Sequence, residues 1–261
     1  MRIATWNVNS VRARHERLLR WLQTHQPDLL CLQELKCQEA QFPFEALREL
    51  GYEAAVHGQK TYNGVAILSR QPADEVWAGM MDDEDDPQAR LLTCRFGELH
   101  VVSAYFPNGS SVDSPKFAYK LRWMQRLRRW LDLRFRPDQA ILLCGDFNVA
   151  PEDRDVAKVE NWADTVLCVP AVREALASIY DFGFTDLVRT HRPEEGLYSW
   201  WDYRQLAFPR NEGLRIDHIV GTASLMPRCS GAWIDRDERK GASPSDHAPV
   251  VVELDAFEAE G

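Results

Sequence analysis

Asp146 and Asn148 stand two residues apart at the end of the buried run Gln139-Ala-Ile-Leu-Leu-Cys-Gly-Asp-Phe-Asn-Val-Ala-Pro151. A carboxylate that can exchange a proton, set beside an amide that can donate to an anion, is suited to hydrolysis. Gly145 lets the chain bend, and strand alternation then sends both polar groups to one side while Phe147 returns to the core. The same pair could simply cap a turn. Repetition along the chain decides between the readings. Asn7 and Asn9 close a first strand, Glu34 a second, and Tyr105 and Asn108 a hairpin; Asp217 lies on a later strand, and Asp246 and His247 precede the last. Polar groups gathered at the same end of several strands define one cleft of the phosphoryl-transfer kind. Oxygen ligands without nearby thiolates favour one or two Mg2+ or Mn2+ ions over zinc.

The elements that must position these groups follow from periodicity. Ile3 to Asn9 reads as an edge or near-edge strand, with Ser10 as the N-cap of a helix whose buried face is Val11, Leu18, Trp21 and Leu22 and whose end is Pro27. Residues 28–34 form a second buried strand. A short helix through Phe44, Leu47 and Leu50 stops at Gly51, and strands follow at 52–57 and 64–68. Asp82 to Asp86 is a solvated acidic loop. Residues 90–96 and 99–106 make a hairpin about Gly97. From Ser114 to Arg136 a long helix buries Phe117, Leu121, Met124, Leu131 and Phe135 and leaves Arg122, Arg126 and Arg129 on its wet face. A helix over 170–182, a strand over 214–220 and a strand after Pro249 complete the alternation, which permits an α/β sandwich.

Composition narrows the class. Thirty-one Lys and Arg against 40 Asp and Glu, a net charge of -9, excludes a generally basic nucleic-acid coat and still allows a local DNA groove. No apolar run approaches a membrane span, and Met1-Arg-Ile-Ala-Thr-Trp is strand-like rather than a signal peptide, so a cytoplasmic protein is expected. The six cysteines lack Cys-x-x-Cys spacing, and reduced core thiols are expected. Nothing reads as a linker; one domain over 1–254 with a frayed acidic tail over 255–261 is the simplest organisation.

Seven stretches also resemble, in order and spacing, the motifs of the endonuclease/exonuclease/phosphatase superfamily. They are Thr5-Trp-Asn-Val-Asn9, Leu32-Gln-Glu-Leu-Lys36, Asn63-Gly-Val-Ala66, Tyr105-Phe-Pro-Asn108, Gly145-Asp-Phe-Asn148, Leu214-Arg-Ile-Asp217 and Ser245-Asp-His-Ala-Pro249. The closest likeness is to the exonuclease III family of class II abasic-site endonucleases, from Arg2 to Leu254; the double tryptophan of Leu197-Tyr-Ser-Trp-Trp-Asp-Tyr203 points to this DNA-repair branch. The resemblance implies a four-layer α/β sandwich, two packed antiparallel or mixed sheets flanked by helices. It also implies metal-dependent cleavage of duplex DNA 5′ to an abasic site, with 3′-to-5′ exonuclease and 3′ phosphodiesterase or phosphatase activity on blocked or recessed ends. A monomer that meets the nucleoid when acting fits that role.

Carried over residue by residue, the resemblance makes Glu34 the principal metal carboxylate, with Asp246 and Asn7 near it. Asp146 either deprotonates the nucleophile or protonates the leaving group. Asn148 donates to the phosphate, Asp217 holds His247 as a charged donor, and Tyr105 stabilises the developing charge. A second cation would fall to Asp146, Asn148 and His247. Trp200, Leu214 and Ile216 match the wall of an apolar recess for a baseless sugar, though they could also be plain core. Trp201, Asn108, Arg90, Lys120 and Arg215 are the expected DNA contacts. Asn9 stands where some relatives have aspartate, lowering the charge of the metal site, and Ser111 stands where vertebrate relatives place a groove-entering arginine. The alternatives are a superfamily phosphatase on a small or lipid phosphoester, which would want a basic or apolar substrate surface, and a silent lesion-binding module, which would not need the acidic set.

Overall fold

The computed structural model describes residues 1–84 and 86–255. Its strands are β1 (Arg2–Asn7), β2 (Leu29–Gln33), β3 (Glu53–His57), β4 (Val65–Ser69), β5 (Glu75–Ala78), β6 (Leu91–Phe96), β7 (Leu99–Tyr105), β8 (Ile141–Asp146), β9 (Phe184–Asp186), β10 (Asp217–Thr222), β11 (Cys229–Ile234) and β12 (Val250–Leu254). Its helices are α1 (His15–His25), α2 (Phe44–Glu49), α3 (Pro115–Arg134), α4 (Val159–Trp162), α5 (Pro170–Tyr180) and α6 (Leu187–His191). The strands form two six-stranded sheets, β11-β12-β1-β2-β4-β3 and β5-β6-β7-β8-β10-β9. In each, a central parallel pair (β1 with β2, β7 with β8) is joined through a helix and flanked on both sides by antiparallel strands. The two sheets are therefore built on one plan.

The central strands bury both faces because the sheets face one another and helices cover the outside, while β3 and β5 at the edges do not. Ile3, Cys31, Val101, Cys144, Ile219 and Val252 fill the space between the sheets. Leu18, Trp21 and Leu22 of α1 pack with Leu47 of α2 on Ala4, Trp6 and Leu30. On the far side Phe117, Met124 and Leu127 of α3 and Leu176 and Ile179 of α5 cover Val102, Leu143 and Phe147. The six cysteines are free and buried, as their apolar surroundings suggest.

Several local expectations change. β1 is not an edge strand: β12 and β2 pair with it on either side, and its continuously buried run Ile3 to Asn7 is the signature of a central position. Ser10 does not cap α1; its hydroxyl accepts from Ala13 N in the preceding turn, and the helix starts at His15. The regular strand near Leu214 begins only at Asp217, after an isolated bridge at Leu214. β5 was not anticipated, because its four residues are mostly exposed. Arg126 does not face water: it is buried, donating to Asp82 at 2.7 Å and Asp86 at 3.0 Å, while Arg122 and Arg129 remain exposed. The acidic loop thus binds its own arginine. Asp255 donates to the Arg228 carbonyl at 2.7 Å; the rest of the expected tail lies outside the described residues.

Gly145 does more than permit a bend. It sits inside β8 at φ +144°, and a Cβ there would lie 1.9 Å from the Ala104 carbonyl oxygen on β7. Only glycine lets the two strands that carry Tyr105 and Asp146 approach so closely. Gly145→Ala is expected to cost about 3 kcal/mol or more, seen as a large fall in the melting temperature. An unchanged melting temperature would contradict the close approach.

Candidate active site

Strand register brings the polar groups together. Asp146 pairs with Tyr105 across the parallel β7–β8 ladder and with Asp217 across β8–β10. In the facing sheet, Asn7 ends β1 beside the end of β2, and Glu34 follows directly. The loop before β12 is tied to β1 by Ser245, whose hydroxyl donates to the Asn7 carbonyl at 2.7 Å and accepts from His247 N at 3.2 Å. All these groups meet at one edge of the sandwich.

Asn7 is the bridge between the sheets. Its amide nitrogen donates to Glu34 Oε1 and to Asp146 Oδ2, both at 2.9 Å. Tyr105 donates its hydroxyl proton to Glu34 Oε1 at 2.9 Å. His247 donates through Nδ1 to Asp217 Oδ2 at 2.8 Å, leaving Nε2 at 3.7 Å from Asp146 Oδ2. Asn148 donates its backbone N–H to Asp146 Oδ1 at 2.9 Å, and its side-chain oxygen accepts from Asn108 at 3.0 Å. Asp246 accepts from Trp200 Nε1 and from Asn9, each at 3.0 Å. Asn9, Glu34 and Asn148 all have positive φ, between 45° and 53°, a conformation uncommon outside glycine and often concentrated at functional sites.

Burial sets the protonation states. It raises Asp146 to about 7, against the pull of His247 and with Asp217 and Glu34 adding to the rise. Burial alone would discharge His247, yet Asp217 and Asp146 outweigh it and lift the imidazole to about 10. Burial also opposes ionisation of Glu34 and Asp246, but Lys36 and Asn7 hold the first below the usual range, and His247 and Trp200 the second. Tyr105 is held well above the usual phenol range by burial and by Glu34. Near neutrality the cleft therefore has ionised Glu34 and Asp246, a cationic His247, and Asp146 poised between its two forms.

Ligand atoms of Glu34, Asp146 and His247 lie within 4.8 Å of one another. Two carboxylates and an imidazole this close could hold a divalent cation, and the carboxylate oxygens suit a hard one. Lys36, which motif reading passed over, lies 2.9 Å from Glu34 Oε2 and donates to Asn9 Oδ1 at 2.5 Å. Glu34 and Lys36 both lie beyond β2 with φ 53°, so strand periodicity gave no signal for the pair. Arg14 and Tyr203 also belong here: Arg14 donates to the Tyr203 hydroxyl at 2.9 Å and to the Asn9 carbonyl at 2.8 Å.

The expected DNA contacts divide. Asn108 is exposed at the cleft, and a cavity of about 570 Å³ opens beside it, lined by Tyr62, Arg90, Tyr105 and Lys116. Arg90 lies 4.9 Å over the Tyr105 ring and donates to that residue's carbonyl, so it braces Tyr105 as well as lining the cavity. Three others cannot touch DNA. Trp201 is fully buried, its indole donating to Asn211 at 3.2 Å. Arg215 is spent on Asp155 and Asp186, both at 2.7 Å. Lys120 has no exposed surface and donates to backbone carbonyls. Trp200 is half-buried with Trp162 edge-on at 5.5 Å, while Leu214 and Ile216 are core beneath it and offer no surface of their own.

Fold and site together define a phosphoester hydrolase with an acidic cluster able to hold a metal ion. The chain matches the Endonuclease/Exonuclease/phosphatase family over residues 4–247. It is 36% identical to an exodeoxyribonuclease III of Haemophilus influenzae over 97% of this chain and 100% of that protein. Among solved structures it is similar to an AP endonuclease from Archaeoglobus fulgidus, with TM-score 0.95, 36% identity, and 98% and 100% of the two chains covered. A 3′ phosphatase from Neisseria, solved with product DNA hairpin bound, gives TM-score 0.94 and 39% identity over 98% and 100%. The chain belongs to the Endonuclease/Exonuclease/phosphatase family and is a hydrolytic nuclease of its exodeoxyribonuclease and AP-endonuclease branch.

Proposed function

We propose that the chain hydrolyses the phosphodiester 5′ to an abasic site in duplex DNA, with Mg2+ or Mn2+, and that the same site trims 3′ ends as a 3′-to-5′ exonuclease and phosphodiesterase or phosphatase. The observation that carries this reading is the unbroken set of contacts from Glu34 through Asn7 to Asp146, with the charged His247 beside it. Bound at Glu34, a divalent cation would offset charge on a phosphate oxygen and the departing 3′ oxygen.

The chain's own groups do the rest. Asp146, with its pKa near the working pH, takes the proton of the attacking water or supplies one to the 3′ oxygen as the P–O3′ bond breaks. The His247 Nε2–H donates to the phosphate oxygen that gains charge, as does the Asn148 amide. Tyr105, protonated throughout, holds Glu34 in place through its hydroxyl. Trp200 and Trp162 form an aromatic corner for a sugar that has left the stack, which a nucleotide without a base does at little cost. Every group comes from one chain, so a monomer suffices, in the cytoplasm where its DNA is found.

The test is end-labelled duplex carrying one abasic-site analogue, incubated with Mg2+, Mn2+ or chelator beside an undamaged duplex with a recessed 3′ end. Cation-dependent incision at the lesion leaving a 3′ hydroxyl is the expected result; no cleavage of either duplex would end this reading. Glu34→Ala is expected to raise the Mg2+ concentration for half-maximal turnover by about tenfold or more. An unchanged requirement would remove Glu34 from the cation site.

A further inference from the structure

Helix α3 places an amine where the fold has no need of one. Lys120 is fully buried, and its hydrogen bonds go to no carboxylate. Its Nζ donates instead to three backbone carbonyls: Asn148 at 2.6 Å, Val166 at 2.8 Å and Asn108 at 3.1 Å. The acceptors belong to three separate segments: the loop after β7, the loop after β8 and the turn before α5. Burial pulls the amine's pKa down to about 7 against Asp146 and Cys168. Three acceptors call for three N–H donors, which only the ammonium has.

Burying such a group is costly unless every donor is used, and an aliphatic side chain would fill the same volume without that demand. What the lysine secures is the backbone on which two cleft amides stand. Asn108 and Asn148 bond one another through their side chains. Asn148 has φ 51°, a left-handed turn, and its N–H donates to Asp146 Oδ1. The turn at Gly109 is closed on the same side chain: a Cβ there would meet Lys120 Cδ at 3.2 Å and Phe117 and Val166 at 3.3 Å.

We infer that Lys120 is a positioning residue of the hydrolytic site, a buried clamp that fixes the backbone of Asn148 and Asn108 and, through the Asn148 N–H, the carboxylate of Asp146. The inference rests on the proposed phosphodiester hydrolysis. Its mark is that the lysine acts through Asn148 and never touches substrate.

Lys120→Met, Asn148→Ala and the double variant are compared by kcat and KM on abasic duplex with Mg2+. Lys120→Met is expected to lower kcat about 10- to 100-fold with KM changed by less than about threefold, and to add less than about threefold once Asn148 is alanine. Multiplicative losses in the double variant would assign the lysine to general stability and overturn the inference. Should Lys120→Met fail to fold at the assay temperature, Lys120→Arg replaces it; its planar guanidinium cannot aim at all three carbonyls, and it is expected to lose kcat in the same way. Wild-type kcat in either folded variant overturns the inference. Amide hydrogen exchange gives a readout that does not depend on DNA. Exchange over residues 147–149 is expected to quicken in whichever variant folds, and unchanged exchange there would refute the clamp even if the wild type proved inactive on DNA. Inactivity of the wild type with quickened exchange in the variant would sink the functional reading alone.

Discussion

Asp146→Asn protein is expected to bind abasic duplex as tightly as the wild type, or more so, and to turn it over about 10³-fold more slowly or worse. The substitution keeps the size of the side chain and removes its capacity to exchange a proton. It also removes one negative charge from a cleft that must receive phosphate, which is why affinity is not expected to fall. Both carboxylate oxygens already accept hydrogen bonds, from Asn148 and Asn7; an amide meets one of those donors with its own N–H, so a modest local shift accompanies the chemical loss. Single-turnover cleavage and filter binding separate the two effects. Full incision by the variant would sink the mechanism.

Asp217→Asn is expected to act through its neighbour. Asp217 is the largest influence holding the proton on His247, whose imidazole is lifted to about 10 although burial alone would lower it. Wild-type kcat should change as Asp146 ionises near about 7, rising if it acts as the base and falling if it acts as the acid, and should fall as His247 loses its proton near about 10. With Asp217 neutral, burial is opposed less strongly, by Asp146 and Asp246, and the alkaline limb moves to lower pH, with kcat at neutral pH down about 10²- to 10⁴-fold. Stability follows the same proton. His247 holds it more tightly folded than unfolded, so its contribution is fully present below the unfolded value of about 6.5 and is lost as pH rises toward about 10. Asp217→Asn should flatten that slope. A pH–rate profile with an unmoved alkaline limb would show that another group sets it.

How far this was legible in the sequence depended on whether a residue's direction follows from local periodicity. Asn7, Tyr105 and Asp146 end strands whose hydrophobic runs are plain and Asp217 begins one, so period two fixes the side from which each projects, and Glu34 follows such a run directly. Residues whose setting is made by distant segments were not legible in that way. Lys120 and Arg126 lie on the same helix and look alike as surface cations, yet one is drawn to three carbonyls and the other to an acidic loop some 40 residues earlier in the chain. Trp200 and Trp201 are adjacent and must diverge, and nothing local says which of them faces the cleft. Gly145 read as a bend, because the backbone it must admit belongs to a different strand.

The first and last strands lie side by side, with the Met1 amino group donating to the Leu254 carbonyl at 2.6 Å and Ser245 bound to Asn7. β1 can pair with β2 from the start, but its other edge and the loop that carries Asp246 and His247 are set only when β12 joins it. Until β12 docks, Glu34 and Asp146 have no imidazolium between them and no Asp246 beside them. Undocking of β12 would therefore leave the carboxylates in place and silence the cut.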